Sequence, residues 1–210
     1  MSSRRKKRLT KARIVCAAVK AADRDGLDAI SMRSLAAALG AGTMSLYNHV
    51  RNKEELLDAM VEEVAAEIER ARPEVDWREG VRAIAVSARA ALHRHPWAVE
   101  IWSVRPPGPQ RWALMETVLA QLASAGLPDD VQDLAFHAIL NHVLGHTRQE
   151  LASVPSGPAR ELEEAAARLA DEGFPHVGAH IRYHAEEHPT HDAFLFVLDI
   201  ILEGLEARAQ

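Results

Sequence analysis

The sequence predicts an all-α fold: an N-terminal three-helix unit of helix-turn-helix type, joined to a larger helical domain. Three observations predict it. Apolar residues recur at helical spacing in segment after segment. No sustained alternating run rich in Val, Ile and Thr suggests a strand, and aromatic residues make up only 5 %. Gly and Pro punctuate the chain between the periodic segments. The 210 residues are 48 % apolar and 26 % charged, enough to bury a core without covalent staples. The one cysteine, Cys16, excludes an intramolecular disulfide framework and fits a reducing compartment. It falls on the apolar stripe of the first helix and reads as a small core residue. No apolar run reaches ~18 residues, and no apolar stretch backs the basic N-terminus. Neither a transmembrane helix nor a signal peptide is expected.

Helix 1 is predicted over residues 10–25. Thr10 is its candidate N-cap, and Ile14, Val15, Ala18, Val19 and Ala22 form its stripe. Gly26 suits a left-handed position after the helix, where Leu27 can close a Schellman-type contact. Helix 2 starts behind Ser31, carries Leu35, Ala36 and Leu39, and stops at Gly40. After a turn through Gly42, helix 3 covers about 43–49, with Leu46 and Val50 facing inward. Asn52 and Glu55 form an N-x-x-E box that opens helix 4. Its stripe is Leu57, Met60, Val61, Val64 and Ile68, and it runs out near Pro73. Further helices follow over about 77–93, 97–104, 109–124 and 129–151. Pro109 suits a first helical position, and Asp129 with Gln132 resembles a capping box. A loop at 154–158 leads to helical pieces at 159–171 and 176–187. Thr190 opens a last helix that ends near residue 208.

Net charge is −5 overall, but its distribution is uneven. Residues 1–53 carry twelve Lys and Arg against three Asp and Glu, and all five lysines lie there. The remainder carries thirteen basic and twenty-seven acidic residues. A cationic head on an acidic body suggests that the head meets a polyanion; chance asymmetry or an inconsequential basic tail is the alternative. Helix 3 is polar for its length: Thr43, Met44, Ser45, Tyr47, Asn48 and His49 surround Leu46. Hydroxyls, an amide and an imidazole offer donors and acceptors to base edges in a groove. An ordinary exposed bundle helix has the same composition. Residues 4–8, Arg-Arg-Lys-Lys-Arg, read as part of a flexible basic arm over 1–9, which tracks phosphates or only aids solubility.

Residues 10–68, and above all "AAVKAADRDGLDAISMRSLAAALG" and "MSLYNHVRNKEELLDAM", resemble the DNA-binding domain of the tetracycline-repressor (TetR/AcrR) family of bacterial regulators. The resemblance implies a DNA-binding head over 10–55 and a ligand-binding and dimerisation domain over 56–210, connected by helix 4 at about 53–71. It implies that Tyr47, His49 and Lys53 grip phosphates, and that Arg33, Thr43, Met44, Ser45 and Asn48 sit where relatives read bases. Met44 departs from the small residues or Pro common at its position. It touches a thymine methyl or merely packs.

The last helix contains an apolar run from Ala193 to Leu202 broken only by Asp199. A helix apolar all round needs burial all round. The helix at 129–151 is similar, through Leu134, Phe136, Ile139, Leu140, Val143 and Leu144, and Gly145 permits close approach. The resemblance implies that these two helices from each chain form a four-helix dimer interface. "HRHPWAVEIW" and "RPPGPQ" resemble, more loosely, the tetracycline-repressor-like C-terminal domain. Composition suggests a cavity lined by Trp97, Trp102, Trp112, Met115, Phe136, His137, Asn141 and His142. For each of these, core packing is the competing reading. Strong anions are disfavoured there unless they pair with Arg105, Arg111 or Arg148. His176, His180, His184 and His188, and His142 with His146, have spacings that can suit a metal, but an exposed helix face explains them as well. No metal and no cofactor is expected. Neither a P-loop nor a G-x-S-x-G motif is present, and no enzymatic activity is expected. The expected function is a homodimeric, cytoplasmic, ligand-responsive regulator that binds double-stranded DNA. A small apolar or aromatic effector releases it from a palindromic operator, and it does not engage a membrane. The competing reading is a helical small-molecule-binding or sequestering module.

Overall fold

A computed structural model describes residues 8–152, 158–185 and 192–209. Residues 1–7 of the expected basic arm, residues 154–157 of the loop expected at 154–158, Thr190, His188 and the side chain of His184 lie outside the described residues. Among these there are eleven α-helices and no strand. The chain divides into two compact units, Met1–Leu151 with Leu198–Gln210, and Ala152–Val197.

The first unit starts with α1 (Lys11–Asp25), whose Thr10 side chain accepts from Arg13 N. Ile14, Val15, Ala18, Val19 and Ala22 are buried, as the stripe requires. Cys16 is exposed instead of buried. At 100° per residue, position 16 points away from the face shared by 14, 18 and 22. Gly26 has φ +79° but ψ 172°, outside the left-handed well, and leads into a 3₁₀ turn at Leu27–Ala29. The Schellman contact expected of Leu27 is thereby replaced. Helix α2 (Met32–Ala38) opens with a reciprocal box: Ser31 Oγ accepts from Ser34 N, and Ser34 Oγ accepts from Ser31 N. Gly40 turns the chain at φ +61°, a region costly for side-chain-bearing residues.

Helix α3 (Thr43–Tyr47) is shorter than predicted. The amides of His49 and Val50 both reach Leu46 O, which tightens the end and leaves Asn48 and His49 in a turn. Leu46 and Val50 have no exposed surface, and such burial contributes roughly 1.5–3 kcal/mol per side chain. Helix α4 (Lys53–Ala66) opens on Asn52, whose side chain accepts from Glu55 N. The Glu55 carboxylate bonds Arg51 N instead of closing the box on Asn52. Leu56, not Leu57, joins Met60, Val61 and Val64 in the core. The helix ends at 66 instead of near 71, because Glu67 N and Ile68 N bond i−3 carbonyls, a tightening that closes it.

Helices α5 (Trp77–Arg94), α6 (Pro96–Ile101), α7 (Pro109–Ser124) and α8 (Asp129–Ala152) follow. Asp76 caps α5 through its bonds to Arg78 N and Glu79 N. The box expected at Asp129 does not form. Asp129 is already helical, and Gln132 Nε2 donates to Leu127 O. In the second unit, α9 (Ala159–Asp171) and α10 (Pro175–Ala185) approach so closely at Gly178 that a Cβ there would stand 2.5 Å from Ala166 O. Helix α11 (Ala193–Glu206) opens on Asp192, whose carboxylate accepts from Leu195 N. Along α11, Phe194, Leu198, Leu202 and Leu205 are buried, while Phe196, Val197 and Ile200 are exposed. No described helix is long and apolar enough to cross a membrane.

Candidate functional site

Helix α3 and the turn after it expose most of their side chains. α3 fixes itself to the core by Leu46, and this turns its other side chains outward. Met44 is 76 % exposed and Tyr47 41 %. Ser45, Asn48 and His49 are exposed and Thr43 is half-buried. Arg33 on α2 and Lys53 at the first turn of α4 are exposed, and no ion pair engages either among the described residues. The helix that carries these exposed groups is short, and its one fully buried side chain, Leu46, is apolar. Lys53 also stands at a helix N-terminus, where backbone amides favour an anion.

Glu55, in the first turn of α4, gathers three donors. Its carboxylate takes Lys11 Nζ at 2.6 Å, Arg51 N at 2.8 Å and Arg51 Nε at 3.0 Å. The Lys11 bond first, and those from Arg51 next, hold its pKa down at about 2. The start of α1 is thereby tied to the start of α4.

A second set of contacts joins α4 to the segment 102–111. Glu54, Asp58 and Glu62 recur every four residues along one side of α4. Arg105 Nε donates to Asp58 at 2.6 Å, while its other nitrogens reach the Glu54 carboxylate and carbonyl. Arg111, 4 % exposed, donates to Glu62 at 3.0 Å and to the carbonyls of Trp102, Arg105 and Pro106. Its guanidinium also lies 5.7 Å from the Trp102 ring centroid. The Glu62 carboxylate accepts from Gly108 N at 3.0 Å and Gln110 N at 2.6 Å, capping α7 from another helix. Gly108 permits this, because a Cβ there would stand 2.8 Å from Glu62 Cδ.

The same segment walls a cavity of about 370 Å³, within the range of small-molecule sites. Ile84, Leu92, Leu114 and Val118 supply apolar wall, and Trp102, Met115, Phe136, His137 and Asn141 line it as well. Trp97, Trp112 and His142 are not among its lining residues. Trp97 is buried elsewhere and donates its indole N–H to Asp23 at 2.7 Å. Trp112 is 58 % exposed on the outer side of α7. Arg105 and Arg111 line the cavity but are already committed to α4. Arg148 is exposed and does not line it. Polar groups open to a guest are therefore few.

Sequence reasoning missed the contacts that tie α1 and the end of α4 to the α5–α6 corner. His95 Nδ1 lies 2.8 Å from Asp23, and its Nε2 lies 3.1 Å from Glu67. Burial pushes the Glu67 carboxyl up, but Arg94 and His95 outweigh it and hold the group below the usual range. The four-residue acidic step on α4 was visible in sequence, whereas its arginine partners some fifty residues away were not. His93 and His146 both face Glu150, at 2.8 and 3.4 Å. Arg89 also donates to Glu150. No group of three or more side chains suited to a metal gathers among the described residues.

The family model described as "Bacterial regulatory proteins, tetR family" matches residues 14–60, and "Tetracyclin repressor-like, C-terminal domain" matches residues 71–209. The chain is 37 % identical over 209 residues to the HTH-type transcriptional repressor DrrR1 of Streptomyces coeruleorubidus, covering 94 % of this chain and 77 % of that protein. It is 29 % identical to the class G tetracycline repressor of Vibrio anguillarum, covering 95 % and 94 %. The TetR family protein ActR of Streptomyces coelicolor, in complex with (S)-DNPA, superposes with a TM-score of 0.83 at 32 % identity, covering 97 % of this chain and all of that one. ActR is also known in complex with actinorhodin, at a TM-score of 0.81 and 33 % identity. With both halves matched and the short polar helix α3 exposed, the chain belongs to the TetR family of bacterial regulatory proteins and is a DNA-binding transcriptional regulator.

Proposed function

We propose that this regulator is a homodimeric repressor that a small apolar or aromatic molecule releases from a near-palindromic operator. The observation that carries the reading is the exposure of α3: Met44, Ser45, Tyr47 and Asn48 are exposed, as are Arg33 and Lys53. Arg33, Thr43, Met44, Ser45 and Asn48 read bases, and Tyr47, His49 and Lys53 hold phosphates. Residues 10–55 act as the DNA-binding head and 56–210 as the ligand-binding and dimerisation domain, with α4 between them. The exposed apolar residues of α11 and the Leu134, Ala138 and Gly145 side of α8 meet their equivalents in a second chain. The protein acts by binding, in the cytoplasm, and not by catalysis.

The ActR complexes with (S)-DNPA and actinorhodin support a small-molecule effector for this chain. Trp102, Met115, Phe136, His137 and Asn141 receive it. An effector that displaces the 102–111 segment shifts the arginine contacts to α4 and with them the head. Differential affinity for the two head positions then lowers operator affinity.

Footprinting tests the reading. Full-length protein is expected to protect a near-palindromic site, with half-sites about one helical turn apart or somewhat more. A compound that changes tryptophan emission is expected to lift that protection over the same concentration range. Uniform, salt-sensitive binding without a protected site would refute it.

A further inference from the structure

Asp23 on α1, Glu67 after α4 and His95 at the α5–α6 corner meet in a cluster that neither the α3 face nor the cavity uses. His95 is 7 % exposed. Its Nδ1 faces Asp23 Oδ1 at 2.8 Å and its Nε2 faces Glu67 Oε1 at 3.1 Å. The same Asp23 oxygen accepts from Trp97 Nε1, and Arg94 donates to the other Glu67 oxygen at 2.8 Å. The charged groups around the ring are therefore Asp23 from α1, Glu67 just after α4 and Arg94 from α5. Helix α6 adds the Trp97 ring, edge-on at 6.1 Å.

An ionised carboxylate only accepts hydrogen bonds. A neutral imidazole carries one N–H and one lone pair, so it would turn that lone pair on one of these carboxylates. Only the imidazolium donates to both. A charge-assisted pair of bonds, largely shielded from water, then ties the first and fourth helices to the α5–α6 corner. Removing the proton leaves two carboxylates facing one donor.

We propose that His95, as an imidazolium, is a positioning residue for operator binding: it fixes the head on the body, and its deprotonation loosens the head. The proposal rests on the DNA-binding reading above. Two heads held at a set separation engage both half-sites without a further ordering cost. Loosening them weakens binding, so loss of the His95 proton lowers operator affinity. His49, to which the DNA-binding reading gives a phosphate contact, is a second histidine whose contribution its own variant separates.

Two measurements on the full-length protein test it. The first is NMR of ¹⁵N-histidine-labelled protein without DNA. At pH 7.5 both ring nitrogens of His95 are expected to carry protons, with the signals assigned by their loss in His95→Gln or their displacement in Asp23→Asn. The second uses the duplex that the wild-type protein itself enriches from a random pool. Its Kd is expected to rise about fivefold or more between pH 6 and pH 8.5. The rise should persist in His49→Gln and shrink below about twofold in His95→Gln. If His95→Gln does not fold, Asp23→Asn carries the same expectation, since it keeps an acceptor for Trp97 and removes the charge. An unchanged pH dependence in the folded variant overturns the proposal, as does a singly protonated His95 ring at pH 7.5. If no duplex is enriched at all, the DNA-binding reading fails, and the ring protonation alone supports or overturns the clamp.

Discussion

Arg105 Nε lies 2.6 Å from the Asp58 carboxylate, and this pair joins a wall of the cavity to the helix that enters the head. Asp58→Asn keeps the shape and removes the charge. A compound selected by its effect on tryptophan emission should bind this variant within about twofold of wild type, because Asp58 does not line the cavity. The concentration that releases DNA should rise several-fold, consistent with typical coupling energies. Emission titration beside a mobility shift checks both; curves that move together would refute the separation.

Lys53→Ala and Tyr47→Phe should weaken operator binding while leaving the melting temperature nearly unchanged, because Lys53 is exposed and Tyr47 is 41 % exposed. A lost charged contact costs about 1–3 kcal/mol, and the logarithmic salt slope for Lys53→Ala should fall by about one. Binding isotherms at four salt concentrations test this. An unchanged slope would remove Lys53 from the phosphate contacts.

Glu55 links acid to the integrity of the head. Its folded pKa, about 2, lies below the ordinary carboxylate value. A depressed pKa stabilises the fold above the unfolded value, and that stability is lost as pH falls towards the folded one. Glu55→Gln should therefore melt a few degrees below wild type at pH 7, since contacts this exposed contribute modestly. The gap should close between about pH 4.5 and pH 2. Melting curves across that window decide it; a gap that persists at pH 2 assigns the effect to shape and not to charge.

Assembly is tested on the exposed side of α11. Phe196→Glu and Ile200→Glu should leave a folded chain that scatters light as 23.1 kDa instead of twice that mass. Leu198→Glu is a different experiment. That side chain has no exposed surface within its own chain, so the substitution buries a charge and unfolds the protein. Wild type scattering as a single chain at micromolar concentration would contradict the dimer.

Ala88→Trp places an indole in the cavity, which Ala88 lines. Operator affinity should stay within about twofold and the response to effector should vanish, as the guest volume is taken. Retained induction would move the effector site elsewhere. Trp102 is the emission probe for this site, because Trp112 faces outward.

The elements that were legible in sequence are those fixed by local chemistry. Thr10, Ser31 and Asn52 each bond an amide three residues on, a relation readable from spacing alone. The bounds of α7 and α9 followed from Pro109 and from a strongly periodic stretch. The outward face of α3 was legible because a short helix with one apolar anchor has little choice. The cavity was only partly legible. Trp97 and Trp102 stand five residues apart with similar burial, yet one meets Asp23 and the other meets the cavity. Which of two buried indoles faces a void depends on packing against helices distant in sequence, and composition carries no trace of it. Cys16 shows the same limit on a smaller scale, since one position's shift round a helix exchanges core for water.

Because Glu62 on α4 caps the start of α7, the first turn of a cavity-forming helix borrows its stability from the helix that serves the head. Whatever turns α4 also decides whether that turn is intact. Thermodynamic reciprocity then applies: if effector lowers affinity for DNA by some factor, DNA lowers affinity for effector by the same factor. An occupied promoter is a less sensitive detector than free protein in the same cell. The number of operator copies would therefore help set the effector dose at which the gene opens.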